Sequence, residues 1–389
     1  GLRGARGEQS IAFGIAGRGV KVGVLSSSAT GGRVGALIAS GDLRAGTTVV
    51  PGQDGFTTFG LTDDEGAAML ETVHDIAPGA QLFFATADGG QANFANNINT
   101  LRTTYNCDII VDDLSYFAEG AFQDGTVAAA VNAVTAAGAL YFSAAANSGN
   151  LTLGTSGTWE GDFVSGGAVG GVLAAGGETG LVHSFGPANY DVLTAASTSI
   201  SLKWSDPPGA SSNDYDLFIL NSAGTPVKGF SATAQTGTQD PLEIIGPGRN
   251  CGTASASGGP DRGGSFQRVS ARAPAGHEPR AAFDRDVCAT YGHNAGLNTV
   301  GTAATAWNNN AHTGTKPFAG FANPVETFSS DGPRKIFYNP DGRAITPGNF
   351  RSRPTVEQRC RSRISRRRRA PTRLLRASCR FLERPPRRW

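Results

Sequence analysis

Two adjacent aspartates, Asp112 and Asp113, end the apolar run Ile109-Ile110-Val111, where a buried strand would leave a core. Carboxylates at such a point are costly unless they are paired or used. Three other groups have a similar setting: the hydroxyl run Ser26-Ser27-Ser28, the acids Asp63-Asp64-Glu65 opening an amphipathic stretch, and Asn147-Ser148 following Ala144-Ala145-Ala146. If these segments belong to one parallel sheet, two acidic clusters and one amide converge on one rim, where functional groups gather. Each also has a plainer use. Helix-start acids complement the dipole or cap the helix, and an amide after a strand can cap a loop.

The elements that would position these groups are legible as hydrophobic patterns. VKVGVLS (21–27), QLFFATA (81–87), CDIIVDDLSYF (107–117) and GALYFSAAA (138–146) read as buried strands. Between them, GGRVGALIASGDL (31–43), DEGAAMLETVHDIA (64–77), ANFANNINTLRTT (92–104) and TVAAAVNAVTAA (126–137) have helical spacing, the second with Ala68, Met69, Thr72 and Val73 expected inward. This alternation predicts an α/β fold with a doubly wound parallel sheet, whose functional groups gather beyond the carboxyl ends of the strands. Near residue 190 the texture changes to period-two strands broken by Pro, Gly, Asn and Asp, predicting an inserted antiparallel β-sandwich. The expected organisation is 1–190 and 289–350 as two parts of the α/β domain, 191–248 as the insert, 249–288 as an irregular segment, and 351–389 as an Arg-rich tail.

Of the 34 Lys+Arg in 389 residues, 15 lie in 351–389 with only Glu357 and Glu383 as acids, so the rest of the chain is net acidic. Such a tail raises nucleic-acid binding as one reading and a disordered linker as another. The body has no apolar run of membrane-spanning length. The five cysteines (107, 251, 288, 360, 379) have no zinc or disulfide-framework spacing, so no metal is expected and Cys107 reads as a buried thiol. His74 reads as a helix C-terminal cation, and His293 as structural, since no acid or cysteine stands at ligand spacing. Asp214 and Asp216 in Asn-Asp-Tyr-Asp read as turn chemistry.

GVKVGVLS, EGAAMLETVHDIAPGA, IIVDDLSYF, FSAAANSGN and ETFSSDGP resemble, in order and context, the core motifs of the subtilase superfamily of serine peptidases. The resemblance covers 17–190 and 290–350. It is to the members whose active-site helix starts with glutamate, as in the sedolisins. It implies a subtilisin-like fold, a serine-type endopeptidase (a hydrolase) acting on polypeptide, secretion, and a monomer with no cofactor, nucleic acid or membrane partner. No signal peptide precedes the first strand of this chain. Glu65 would be the general base, tuned by neighbours such as Asp64, and Asn147 the oxyanion donor. Asp113 would either support Glu65 or, with Asp112 and Ser115, bind the substrate backbone. Ser27 stands where the family has the aspartate that orients the base, and Met69 where the sedolisins have theirs.

The family's nucleophile should follow ETFSSDGP in a Gly-Thr-Ser context, and none follows Pro333. Codon degeneracy lets 361–364 and 380–388 encode Gln-Lys-Pro-Asp and Phe-Phe-Gly-Thr-Ser-Ala-Ala-Ala in a shifted frame, and 249–288 behaves similarly. The expectation is therefore a chain frameshifted before its serine and inactive as written. The alternative is a non-catalytic pseudoprotease that binds a peptide or partner.

Overall fold

The computed structural model describes residues 14–29, 32–55, 64–160, 163–186, 188–193, 200–221, 223–224, 227–246, 264–269, 289–305, 325–332, 334–345 and 351–352. Asp63, Pro333, nearly all of the tail and most of 249–288 lie outside these residues.

Strands β1 (Lys21–Ser26), β2 (Thr48–Val49), β3 (Gln81–Thr86), β4 (Ile109–Asp112) and β5 (Leu140–Ala144) are joined by helices α1 (Arg33–Ser40), α2 (Glu65–Ile76), α3 (Gln91–Thr103) and α4 (Thr126–Ala136). With the later strand β14 (Thr299–Thr302) they form one six-stranded sheet, ordered β14-β5-β4-β1-β3-β2, with every pairing parallel. Strand alternation sends Val22, Val24, Leu82 and Phe84 to one face, packed with Val34, Leu37, Ala67 and Leu70 of α1 and α2. Leu25, Phe83 and Ala85 go to the other, packed with Phe94, Ile98 and Leu101 of α3 and Val127, Val131 and Val134 of α4. Burying both faces is what the near-continuous apolar runs require. Cys107 is a free, buried thiol in the second of these layers, pushed up to about 12 by burial.

Two local expectations are corrected. In 107–117 the strand is only Ile109–Asp112, so Asp113–Ser115 extend past the sheet. On α2 the buried positions are Gly66, Ala67 and Leu70, with Met69 and Val73 partly covered and Ala68 and Thr72 exposed. The cause is the close approach at Gly66, whose N–H donates to Ser28 O at 2.9 Å. A Cβ there would collide with the Phe84 ring and lie 2.7 Å from Ser28 O.

The remaining strands are antiparallel. Those of the second sheet are β6 (Ser165–Ala168), β7 (Leu181–His183), β8 (Tyr190–Leu193), β10 (Asp216–Leu220), β11 (Val227–Ser231) and β13 (Gly264–Val269); β9 (Ile200–Lys203) and β12 (Leu242–Ile245) form a separate pair. The second sheet runs β11-β10-β13-β7-β6, with β8 also on β13. It thus begins before residue 190. Its β13, GSFQRV, falls inside the segment expected to be irregular, where a short aromatic and β-branched run suffices for a strand.

Candidate functional site

The carboxyl ends of β1, β4 and β5 bring the candidate residues to one rim. Glu65 is the first residue of α2, fixed against β1 by the Gly66 contact with Ser28. Asp113, the residue after β4, is hydrogen-bonded to Glu65. Partial burial, then the charge and hydrogen bond of Glu65, then Asp112, raise the Asp113 carboxyl to about 6. Asp64 turns instead to Arg33, 3.6 Å away in an exposed pair. The acid the structure brings to Glu65 is thus Asp113.

Ser27 sits at the end of β1, its carbonyl accepting the Thr86 hydroxyl at 2.7 Å. The flanking Ser26 and Ser28 hydroxyls are buried without a hydrogen-bond partner among the described residues. Asn147 is exposed beyond β5, directly after Ala146, whose φ of 71° turns the chain at the strand end. The loop it opens is tied to residues 328–330. Ser148 N–H donates to Ser330 Oγ (2.9 Å), Gly149 N–H to Phe328 O (2.8 Å), and Asn150 Nδ2 to Ser329 O (3.1 Å). The motifs FSAAANSGN and ETFSSDGP therefore stand side by side. Gly-Thr-Ser does occur once, at 154–156 in this loop. There the Thr155 hydroxyl donates to Thr327 O at 2.6 Å and Ser156 Oγ accepts from Thr158 N–H at 3.3 Å, an arrangement of loop closure.

Directly behind Asp113 lies a buried polar network. His293, on a single 3₁₀ turn (Gly292–Ala295), is fully enclosed. Its Nδ1 is 2.6 Å from Glu119 Oε1, its Nε2 3.3 Å from Asp112 Oδ1, and its N–H donates to Glu119 Oε2 at 2.7 Å. Burial opposes the charge, but Glu119 and Asp112 outweigh it and lift the imidazole to about 10. Glu119 is correspondingly held below its ordinary value despite burial. Gly292 (φ 61°) permits this contact, since a Cβ there would lie 2.7 Å from Glu119 Oε2. Asn294 joins β4 and β5: its Nδ2 reaches Ser143 Oγ (2.8 Å), Ala144 O (3.0 Å) and Leu114 O (3.1 Å), and its Oδ1 accepts from Ser115 Oγ (3.2 Å). Arg334 closes the far side, pairing with buried Asp124 at 3.3 Å and donating to the carbonyls of Gly120, Ala121, Gln123 and Gly292.

Sequence spacing left His293 with no acid because its partners come from distant segments. Glu119 and Arg334 carried no signal of their own. Lys203 of β9 lies 3.2 Å from the centroid of the Tyr291 ring, and burial, against the pull of Glu119, lowers its ammonium to about 7.

Neither Asp214 nor Asp216 is local turn chemistry: Asp214 accepts from Gln235 N–H at 3.0 Å across 21 residues, and Asp216 is the first residue of β10, paired in the second sheet. Among the described residues no His, Cys, Asp and Glu group is arranged to hold a metal, and no helix is long and apolar enough to cross a membrane. His74 lies in the last turn of α2.

No protein-family model and no curated protein matches the chain. Among solved structures it is similar to a PatG macrocyclase in complex with peptide, at 12% identity over 34% of this chain and 53% of that one, with a TM-score of 0.23. It is also similar to an S41 psychrophilic protease, at 20% identity over 34% of this chain and 48% of that one, again with a TM-score of 0.23. The chain spans about half the length of each. Likenesses at these scores are local, and the functional reading rests on this chain's own residues.

Proposed function

We propose that the chain is, by ancestry, a secreted serine-type endopeptidase domain of the subtilisin and sedolisin kind, which as written holds polypeptide without hydrolysing it. Its fold is a subtilisin-like α/β domain carrying an antiparallel β-sandwich insert. The observation that carries the reading is the hydrogen-bonded carboxyl pair of Glu65 and Asp113 at the carboxyl rim of the parallel sheet. Asp113, protonated below about pH 6, donates to Glu65, which places a carboxyl pair able to exchange a proton on this rim.

In an active relative with a serine here, Glu65 takes the hydroxyl proton as Oγ bonds to the scissile carbonyl carbon. Asn147 Nδ2 donates to the oxyanion, and the proton passes to the leaving amine. In this chain Ser27 stands where the orienting aspartate is expected, and no Gly-Thr-Ser follows Pro333. The segment Asp112–Ser115 is left to hold an extended peptide.

The test is incubation of the purified protein with unfolded polypeptide at acid and neutral pH. Saturable binding without new termini supports the reading. Specific cleavage that Glu65→Ala abolishes overturns its inactivity, and an absence of any binding overturns the peptide site.

A further inference from the structure

We propose that His293 and Asn294 are positioning residues of the segment Asp112–Ser115, holding Asp113 against Glu65 and setting which edge of the segment a peptide can pair with. The inference rests on the peptide-binding reading above.

Three observations carry it. First, both main-chain polar groups of Leu114 are consumed internally: its N–H reaches Asp112 Oδ1 at 3.4 Å and its C=O accepts from Asn294 Nδ2 at 3.1 Å. The main-chain groups left for a peptide to pair with are therefore not those of Leu114. Second, Asp112 is itself fixed. Its Oδ1 accepts the Ser143 hydroxyl at 2.7 Å and faces His293 Nε2, while the far side of that imidazole is locked by Glu119. Third, Asn294 fastens the segment's other end by accepting from Ser115 Oγ, while gripping Ser143 and Ala144 of β5. Asp113 thus projects toward α2 from a segment held on both sides.

The charged groups facing this arrangement come from several elements. Glu65 of α2 faces Asp113, and Asp112 of β4 and Glu119 face His293. Arg334 and Lys203 of β9 act on Glu119 and on each other, and α3 contributes only the edge-on Phe94 ring, 5.1 Å from the His293 ring. A loosened segment would therefore show itself first as a changed titration of Asp113.

The experiment uses the full chain, with Asn294→Ala, Ser115→Ala and His293→Gln. Two readouts are followed from pH 4 to 8: carboxyl NMR of Asp113, and anisotropy of a fluorescein-labelled casein peptide, with Tm recorded for each variant. Asn294→Ala is expected to move the Asp113 midpoint down from about 6 and to weaken the peptide by about tenfold. Ser115→Ala, at an exposed position, is expected to weaken the peptide about threefold with only a small fall in Tm, the loss of one ordinary hydrogen bond to Asn294. Folded Asn294→Ala and Ser115→Ala proteins that keep the parent's midpoint and affinity overturn the proposal. If the parent binds no peptide, the functional reading fails, and the NMR midpoint of Asn294→Ala alone decides the positioning. Should Asn294→Ala and His293→Gln not fold, an affinity for Ser115→Ala equal to the parent's overturns it.

Discussion

The carboxyl groups of Glu65, at a helix start, and Asp113, just past a strand end, share a hydrogen bond on the rim of a parallel sheet. Of the two acids the family resemblance offers as support for Glu65, Asp113 makes the contact, while Asp64 lies against Arg33.

That pair predicts an acid-shifted site. The Asp113 carboxyl is raised from 3.8 to about 6, so it keeps its proton in the folded protein up to about pH 6. A raised carboxyl contributes to folding at low pH and loses that contribution as pH rises through about 6. Peptide affinity is expected to fall over the same interval, as Asp113 gains its negative charge. Asp113→Asn should abolish the pH dependence, and Glu65→Gln should move the Asp113 midpoint toward 3.8; carboxyl NMR and binding titrations check both.

His293 predicts a stability change on the alkaline side. Its imidazole is raised from 6.5 to about 10, so its contribution is complete below about pH 6.5 and is lost as pH rises through about 10. Urea unfolding between pH 6 and 10 should show this decline, and His293→Gln should flatten it. The variant should also lose about 3–5 kcal/mol near neutrality, because Asp112 and Glu119 keep their buried carboxylates without the cation between them.

Arg334 predicts a similar cost from the other end. Replacing it with methionine removes the cation from buried Asp124, which retains Asn132 Nδ2 at 3.0 Å, and a donor from the carbonyls of Gly120 and Gln123. A loss of about 3–5 kcal/mol is expected in chemical denaturation, largely recovered if Asp124 is changed to asparagine in the same chain.

Gly66 predicts a coupling between packing and the site. Gly66→Ala puts a methyl group against the Phe84 ring and Ser28 O, and should cost about 1–3 kcal/mol. Since Glu65 is the neighbouring residue, the same change should lower the Asp113 midpoint, which NMR reads separately from stability.

The parallel sheet was legible because its strands are short apolar runs between helical periods, and β1, β3, β4 and β5 lie within the runs that announce them. Glu65, Asp113 and Asn147 stood out by their places at element ends. Partners were hidden. Nothing near Glu65 in the chain points to Asp113 rather than Asp64, and the acids that enclose His293 come from β4 and the loop after it. The buried face of α2 was misjudged because a glycine, having no hydrophobicity to register, sets how close the helix comes. In the antiparallel part, β13 joins β7, β8 and β10 from a segment whose composition is that of a linker.

Lys203 resting on Tyr291 gives strand β9 a role that its sequence texture does not suggest. Tyr291 directly precedes the turn that carries His293, and the Lys203 ammonium feels Glu119 and Arg334. Strand β9 thus reaches the turn that carries His293 through Lys203 and Tyr291. Loosening β9 should therefore be felt at His293, and any exchange of this strand would have to carry the Tyr-Gly-His-Asn turn along with it.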